Sequence, residues 1–151
     1  MKDENTRVGK RDPGGMAFLI TGLPATGKTT LGTALAAELA SRYGRQVTLL
    51  DGNEVRKLLS SELGYSREHR RLNMLRHGYI AAEICRHGGV VICALIAPYA
   101  SDRAEMREQV SRCGSFVEIY LSTPLAVCEQ RDPKGLYARA RRPTRAHDGD
   151  R

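Results

Sequence analysis

Four short apolar runs along the chain have the length and composition of β-strands. They are rich in aliphatic and aromatic side chains, and glycine, aspartate or proline follows within a few residues. One run, residues 90–96, is nearly all apolar, which is typical of a strand covered on both faces of a sheet. We predict strands at residues 16–21, 46–51, 90–96 and 116–121.

The segments between these runs have helical features. Leucine and alanine recur at helical spacing in the first of them, and Gly44 and Gly64 supply helix stops. Ser66 can cap a longer helix. We predict helices over residues 29–43, 54–63 and about 67–86, and two more that begin near Asp102 and at Thr123 and Pro124.

Strands and helices alternate along the chain, which predicts a mostly parallel sheet with helices on both faces, a three-layer α/β fold. Right-handed crossovers bring the carboxyl ends of parallel strands to one edge of the sheet. Ligands of such folds bind at that edge. Thr21, Asp51 and Ile96 end three of the predicted strands and should lie there.

The residues between the first strand and the first helix match the pattern G-x-x-x-x-G-K-[ST] in full. In such a loop, backbone N–H groups and a helix N-terminus converge on phosphate. Lys28 is expected to reach the β- and γ-phosphates of ATP, and the Thr29 hydroxyl to bind Mg²⁺. A chance match would occur roughly once in a few hundred chains of this length, so we predict a P-loop NTPase fold that binds a nucleoside triphosphate and Mg²⁺. The predicted ATP-binding residues here are Gly22, Leu23, Pro24, Ala25, Thr26, Gly27, Lys28, Thr29 and Thr30.

The phosphate loop does not choose among GTPases, ATPases and small-molecule kinases, but later segments do. In order and spacing, residues 17–141 resemble the adenylylsulfate kinases. The matching segments are residues 50–56, 63–73, 96–99 and 127–137, with Asp102 and Arg103. The resemblance implies transfer of the ATP γ-phosphate to the 3′-hydroxyl of adenosine 5′-phosphosulfate, which gives 3′-phosphoadenylylsulfate in sulfate assimilation.

Lys28 and Asp51 are the predicted catalytic residues. Asp51 ends a strand beside the phosphate loop, where a carboxylate can hold Mg²⁺ through water or orient the attacking hydroxyl. The alternative is a structural turn, since aspartate before glycine is a common turn pair. The position at the ligand edge favours the functional role.

The resemblance also implies a set of substrate-binding residues. Guanidinium groups such as those of Arg56 and Arg70 suit oxyanions, and Asn73 offers a donor and an acceptor for nucleotide recognition. Tyr65 stands where the family packs an aromatic ring on the substrate adenine, with a partly buried core tyrosine as the alternative. Arg131 is expected to face the ATP adenine. The substrate set is Asp51, Arg56, Tyr65, Arg70, Asn73, Ile96, Ala97, Lys134 and Leu136.

Other polar residues of the third helix are given no role in the site. Arg67 and Arg71 are expected on a solvated helix face. His69 and His77 are expected to be surface or structural residues.

Three features depart from the family pattern. Asn53 replaces the usual aspartate, and an amide can neither carry charge nor accept a proton, so we expect slower turnover. Ala97 replaces a serine found in many members, so no phosphoserine can form there and transfer should be direct. Residues 142–151 do not continue the family's lid, which should weaken nucleotide binding and admit hydrolysis.

Length and charge bound the remaining possibilities. The 151 residues suit one domain, which we divide into a flexible leader at 1–15, a kinase domain at 16–141 and an irregular basic tail at 142–151. The net charge of +7 favours polyanionic partners. Aromatic residues make up only 5%, which argues against a base-stacking nucleic-acid platform, so a nucleotide substrate fits better.

The sequence also predicts the cellular setting. No apolar run approaches the roughly 20 residues that cross a bilayer, and the N-terminus lacks a signal-peptide pattern. We therefore expect a cytoplasmic protein without a membrane partner. The cysteines lack metal-binding spacing and are expected to be free thiols.

Three hypotheses for function remain at this point. The first is an adenylylsulfate kinase, as a homodimer or in association with a sulfurylase. The second is a nucleotide-binding module that has lost efficient turnover. The third is a P-loop kinase for another small hydroxyl substrate.

Overall fold

The computed structural model describes residues 14–142. The predicted leader, residues 1–15, lies outside the described residues except for Gly14 and Gly15. The predicted tail, residues 142–151, lies outside them except for Arg142. The domain boundaries stay predictions.

Four parallel strands form one sheet in the order β2-β3-β1-β4. The strands are β1 (Met16–Thr21), β2 (Val47–Asp51), β3 (Val90–Leu95) and β4 (Ser115–Tyr120). Every predicted strand boundary is correct within one residue. The order places β1, which leads into the phosphate loop, between β3 and β4.

Helices connect the strands and cover both faces of the sheet, so the predicted three-layer fold is confirmed. Within residues 14–142 they are α1 (Lys28–Tyr43), α2 (Gly52–Leu59), α3 (Arg67–Arg86), α4 (Ala100–Ser111), α5 (Leu125–Arg131) and α6 (Leu136–Ala140). The Ser66 hydroxyl caps α3, as predicted, by accepting a hydrogen bond from the His69 N–H. Gly44 ends α1 in the left-handed conformation at φ 61°.

Two helices differ from their predictions. The predicted end of α2 at residue 63 is wrong, because Ser60 already stands at the C-cap. Helix α6 was not predicted at all. Its start is fixed by the Asp132 carboxylate, which accepts hydrogen bonds from the N–H groups of Tyr137 at 3.2 Å and Ala138 at 3.0 Å.

The core has two layers because side chains of a strand alternate between the faces of a sheet. Ala17 and Leu19 of β1 belong to the cluster that packs with α3 and α4. Ile20 and Ile92 lie on the opposite face beside Gly32 of α1, where an added Cβ would come within 3.6 Å of Ile20 and 3.4 Å of Ile92. The contributions of α3 and α4 to the core are Met74, Ala81, Cys85, Met106 and Val110.

The cysteines are free thiols, as predicted. Cys85, Cys93 and Cys128 are buried. Burial raises the pKa of Cys85 to about 11 and that of Cys93 to about 12. Cys85 and Cys93 therefore stay protonated at neutral pH and act as small apolar core residues.

No helix within residues 14–142 is long and apolar enough to cross a membrane. The predicted cytoplasmic location stays a prediction.

Candidate phosphoryl-transfer site

The phosphate loop joins the carboxyl end of β1 to the N-terminus of α1. Gly22 has φ 152° and Gly27 has φ 97°, both in a region that side chains disfavour. A Cβ on Gly22 would also lie 2.8 Å from the Leu121 carbonyl oxygen. Glycine is therefore required at the first position both by the backbone conformation and by the neighbouring strand end.

The Lys28 side chain folds back over the loop. Its ammonium group donates hydrogen bonds to the carbonyl oxygens of Gly22 at 2.9 Å and Leu23 at 2.6 Å. Burial lowers the pKa of Lys28. The loop therefore holds a partly desolvated cation, which interacts more strongly with an anion than a solvated lysine does.

Asp51 links the phosphate loop to α2. Its carboxylate accepts hydrogen bonds from the Thr29 hydroxyl at 2.6 Å and from the Asn53 N–H at 2.9 Å. Burial by itself would raise the pKa of Asp51, but hydrogen bonds from Thr29 and Asn53 outweigh it and hold the pKa below its usual value. The carboxylate is therefore ionised at neutral pH, beside a hydroxyl oxygen, and this pair of hard oxygen donors fits Mg²⁺.

A cleft opens beside the phosphate loop, between α2, α3 and the segment that follows β3. Its lining combines basic groups with apolar walls. The lining residues are Lys28, Gly52, Asn53, Arg56, Tyr65, Arg70, Asn73, Met74, Ala94, Leu95, Ile96, Ala97, Pro98 and Asp102. Six of the predicted substrate residues thus share one cleft with Lys28, while Asp51 adjoins it through Gly52.

Two arginines and Tyr65 form the outer wall of this cleft. The guanidinium carbon of Arg56 lies 4.5 Å from the Tyr65 ring centroid, and that of Arg70 lies 5.4 Å from it. Arg56 donates from Nη1 to the carbonyl oxygens of Leu63 and Gly64 at 3.0 Å. Arg70 donates from Nε to the Tyr65 carbonyl at 2.9 Å, and its Nη groups have no acceptor within residues 14–142. Tyr65 is 69% exposed, so the alternative of a core tyrosine is wrong.

Asn73 lines the cleft, and its side chain carries a buried acceptor that is unpaired within residues 14–142. The side chain is only 9% exposed, and Oδ1 has no hydrogen-bond partner in the described part of the chain. Its backbone carbonyl accepts a bond from Nδ1 of the buried His77 at 2.8 Å. Burial lowers the pKa of His77, so this ring is neutral and structural, as predicted. A buried unpaired acceptor is costly unless a ligand donor satisfies it.

The segment after β3 forms the inner wall of the cleft. Hydrogen bonds hold the carbonyl groups of its first two residues, Ile96 and Ala97. The Thr21 hydroxyl donates to the Ile96 carbonyl at 2.6 Å, and Arg103 donates to the Ala97 carbonyl at 2.9 Å. Arg103 is itself paired with Glu118 at 2.8 Å. Ala97 adopts φ 43°, a conformation that these bonds maintain.

Three predicted site residues from the C-terminal part of the chain lie outside this cleft. They are Arg131, Lys134 and Leu136. Arg131 donates to the Ala25 carbonyl on the loop at 3.3 Å. The charge of Lys134 lowers the pKa of Lys28, as burial does, but its effect is weaker. Leu136 begins α6 and is 40% exposed.

The sequence missed the role of Arg67, which does not lie on a purely solvated face. It forms a two-pronged pair with the buried Asp102, at 2.9 and 2.8 Å, and its guanidinium carbon lies 4.0 Å from the Tyr99 ring centroid. The pair ties α3 to α4 at the wall of the cleft, which Asp102 lines. The only hint of this role in the sequence was Asp102, which lies in a segment that resembles the family.

A family model described as adenylylsulphate kinase matches residues 14–147. The adenylyl-sulfate kinase of Synechococcus sp. (strain JA-3-3Ab) is 46% identical over 127 residues, which cover 84% of this chain and 70% of that protein. A sulfate adenylyltransferase of Aspergillus oryzae is 45% identical over 84% of this chain, but the match covers only 22% of that protein.

Solved structures agree with this match. The Mycobacterium tuberculosis APS kinase CysC, solved in complex with AMPPNP and APS, superposes with a TM-score of 0.81 and 35% identity. The superposition covers 85% of this chain and 75% of that one. With a phosphate loop and a basic cleft in one continuous site, the chain belongs to the adenylylsulphate kinase family.

Proposed function

We propose that this protein transfers the γ-phosphoryl group of ATP to the 3′-hydroxyl of adenosine 5′-phosphosulfate. The observation that carries the proposal is the continuity of the site: Lys28 of the phosphate loop lines the same cleft as Arg56, Arg70 and Asn73. One wall would hold a triphosphate and the other an anionic nucleotide. Such an arrangement brings a donor phosphate and an acceptor hydroxyl together.

The phosphate loop, residues 22–29, would hold the ATP phosphates through its N–H groups, with Thr30 in the first turn of α1 beside them. Lys28 would neutralise charge on the β- and γ-phosphates. Arg131, which lies over the outer side of the loop, is the candidate contact for the ATP adenine.

The Thr29 hydroxyl would bind Mg²⁺, with the Asp51 carboxylate adjacent through water. The two oxygens lie 2.6 Å apart, and hydroxyl and carboxylate oxygens suit this ion. When bound, Mg²⁺ supplies charge neutralisation at the β- and γ-phosphates.

The chemical step is a direct in-line displacement. A bond forms between the acceptor 3′-oxygen and the γ-phosphorus, the bond from that phosphorus to the bridging oxygen of ADP breaks, and the hydroxyl proton leaves. The ionised Asp51 would orient the hydroxyl and accept its proton. Ala97 has no hydroxyl and cannot form a phosphoenzyme at its position.

Recognition of the acceptor would use the basic cleft. Both Nη groups of Arg70 and the Nη2 group of Arg56 suit the phosphosulfate, since guanidinium groups donate strong hydrogen bonds to oxyanions. The exposed Tyr65 ring would pack on the adenine, and the unpaired Asn73 Oδ1 would accept a hydrogen bond from the nucleotide. The remaining proposed contacts are Ile96, Ala97, Lys134 and Leu136.

We also propose that the chain acts with a sulfate adenylyltransferase, or as a homodimer. The similarity to one part of the Aspergillus oryzae sulfate adenylyltransferase supports the first association, because that enzyme carries a similar segment within a longer chain.

Replacing Asn53 by aspartate should raise kcat several-fold. Hydrogen bonds from Asn53 help to lower the pKa of Asp51, and a carboxylate at this position would instead repel that of Asp51 and make it a better proton acceptor. Steady-state kinetics of N53D and of the control N53A would check this. A kcat for N53D at or below that of the wild type contradicts the expectation.

ADP release in the presence of ATP, Mg²⁺ and one acceptor at a time tests the proposal. We expect adenosine 5′-phosphosulfate, and not AMP or a simple alcohol, to raise ADP release above the rate of ATP hydrolysis without an acceptor. Binding of ADP without turnover of any acceptor would favour a nucleotide-binding module. Turnover of another hydroxyl compound alone would favour a different small-molecule kinase.

A further inference from the structure

Two hydroxyl groups from distant parts of the chain hold the outer side of the phosphate loop. The Tyr137 hydroxyl donates to the Pro24 carbonyl oxygen at 2.8 Å. The Thr123 hydroxyl donates to the Thr26 carbonyl oxygen at 3.1 Å. We call Thr123 and Tyr137 the hydroxyl anchors.

The anchored carbonyls determine where the next N–H groups point. A trans peptide unit is planar, so its C=O and N–H are directed to opposite sides. Fixing the Pro24 carbonyl outward turns the Ala25 N–H inward, and fixing the Thr26 carbonyl does the same for the Gly27 N–H. Neither N–H has a backbone acceptor within residues 14–142, whereas the intervening Thr26 N–H turns back to the Leu23 carbonyl at 3.4 Å.

The anchors themselves are held in place. The Asp132 carboxylate accepts the backbone N–H groups at the start of α6 and so fixes Tyr137, whose ring is half-buried. Burial raises the pKa of Tyr137, so its phenol stays protonated and remains a donor. Thr123 lies in the turn between β4 and α5, which continues the strand hydrogen-bonded to β1.

We infer that the hydroxyl anchors are positioning residues for ATP: they keep the Ala25 and Gly27 N–H groups directed at the bound phosphate. They touch neither substrate in this account but act through the loop. A loop whose N–H groups are already oriented binds phosphate without the cost of ordering them. The inference rests on the proposed ATP site and is independent of which acceptor is phosphorylated.

Calorimetric titration of the full chain with ADP and Mg²⁺ tests this inference. T123V and Y137F should each raise the Kd for ADP about 5- to 10-fold, as expected for loss of one hydrogen bond. T123S keeps the hydroxyl and should bind like the wild type. Y43F removes the hydroxyl of an exposed tyrosine at the end of α1 and serves as the matched control.

Kinetics separate positioning from a structural role. In T123V and Y137F the KM for ATP should rise while the KM for the acceptor is unchanged, and thermal unfolding should stay close to that of T123S and Y43F. Wild-type ADP affinity in both T123V and Y137F, or a T123S as weak as T123V, overturns the inference. Failure to phosphorylate adenosine 5′-phosphosulfate despite normal ADP binding would refute the proposed function alone, and a wild type that does not bind ADP would refute both.

Discussion

Replacement of Lys28 by alanine should lower kcat about 10²- to 10³-fold, the effect of removing one preorganised charged donor from a transition state. The Lys28 ammonium donates hydrogen bonds to two carbonyl oxygens of the loop. Partial burial removes water from this ammonium and lowers its pKa. Negative charge on a bound γ-phosphate would favour its charged form. The loss of Lys28 should therefore destabilise the transition state, in which that charge is redistributed, more than the bound substrates.

Lys57→Ala is the matched control, because Lys57 is an exposed lysine of α2 that does not line the cleft. K57A should keep wild-type kinetics, and both variants should keep wild-type circular dichroism. Steady-state kinetics with ATP varied at saturating acceptor would measure the effect. A K28A enzyme that retains more than a tenth of wild-type kcat would contradict the role given to Lys28.

Replacement of Asp51 by asparagine should lower kcat about 10²-fold, the lower part of the range for a positioned general base. Asparagine has nearly the same shape and can still accept the Thr29 hydroxyl bond seen at 2.6 Å. It cannot accept a proton or carry the charge that favours Mg²⁺. Glu54→Gln, at an exposed carboxylate in the first turn of α2, is the neutral control.

The pH profile gives a second test of Asp51. Hydrogen bonds hold the pKa of this carboxyl below its usual value despite partial burial. The carboxyl therefore stays ionised to a lower pH than an ordinary aspartate, whose pKa is about 4, and it is ionised throughout the range from pH 5 to 8. Between pH 5 and 8, kcat/KM should show no acid limb that is absent from D51N; such a limb in the wild type alone would contradict the account.

The same linkage applies to stability. Because the folded-state pKa of Asp51 is depressed, its contribution is present above the unfolded pKa and is lost as pH falls through the folded value. D51N should therefore have a lower free energy of unfolding than the wild type at neutral pH, and the two values should converge in acid. Denaturant unfolding at several pH values measures this difference.

The sequence was sufficient for the fold because its strands are short, nearly continuous apolar runs. Residues 90–96 are a clear example, and all six residues of the observed β3 are buried. Helix ends were harder: α2 stops at Leu59 since Ser60 and a turn follow, although the helical pattern continues to residue 63. Helix α6 depends on Asp132, whose carboxylate accepts hydrogen bonds from the N–H groups of Tyr137 and Ala138 at the start of the helix. A side-chain contact of this kind produces no periodic pattern in the sequence.

The candidate site was predictable where a local motif or a family-like segment specifies it. Six of the substrate residues do share one cleft with Lys28, although their roles stay predictions until tested. The hydroxyl anchors could not be found this way, because Tyr137 contacts Pro24 across 113 positions of the chain. The Arg67 and Asp102 pair spans 35 positions, and a helix face alone could not show that one of its arginines meets a buried carboxylate.

Identification of the reaction product distinguishes phosphoryl transfer to the nucleotide from simple hydrolysis of ATP. The 151-residue chain would be incubated with ATP, Mg²⁺ and adenosine 5′-phosphosulfate, and the nucleotides would be separated and identified by mass and by phosphorus NMR. We expect 3′-phosphoadenylylsulfate, with ADP in at least an equal amount because hydrolysis of ATP adds ADP. ADP with free phosphate, and no nucleotide that has gained a phosphoryl group on its 3′-hydroxyl, would contradict this expectation.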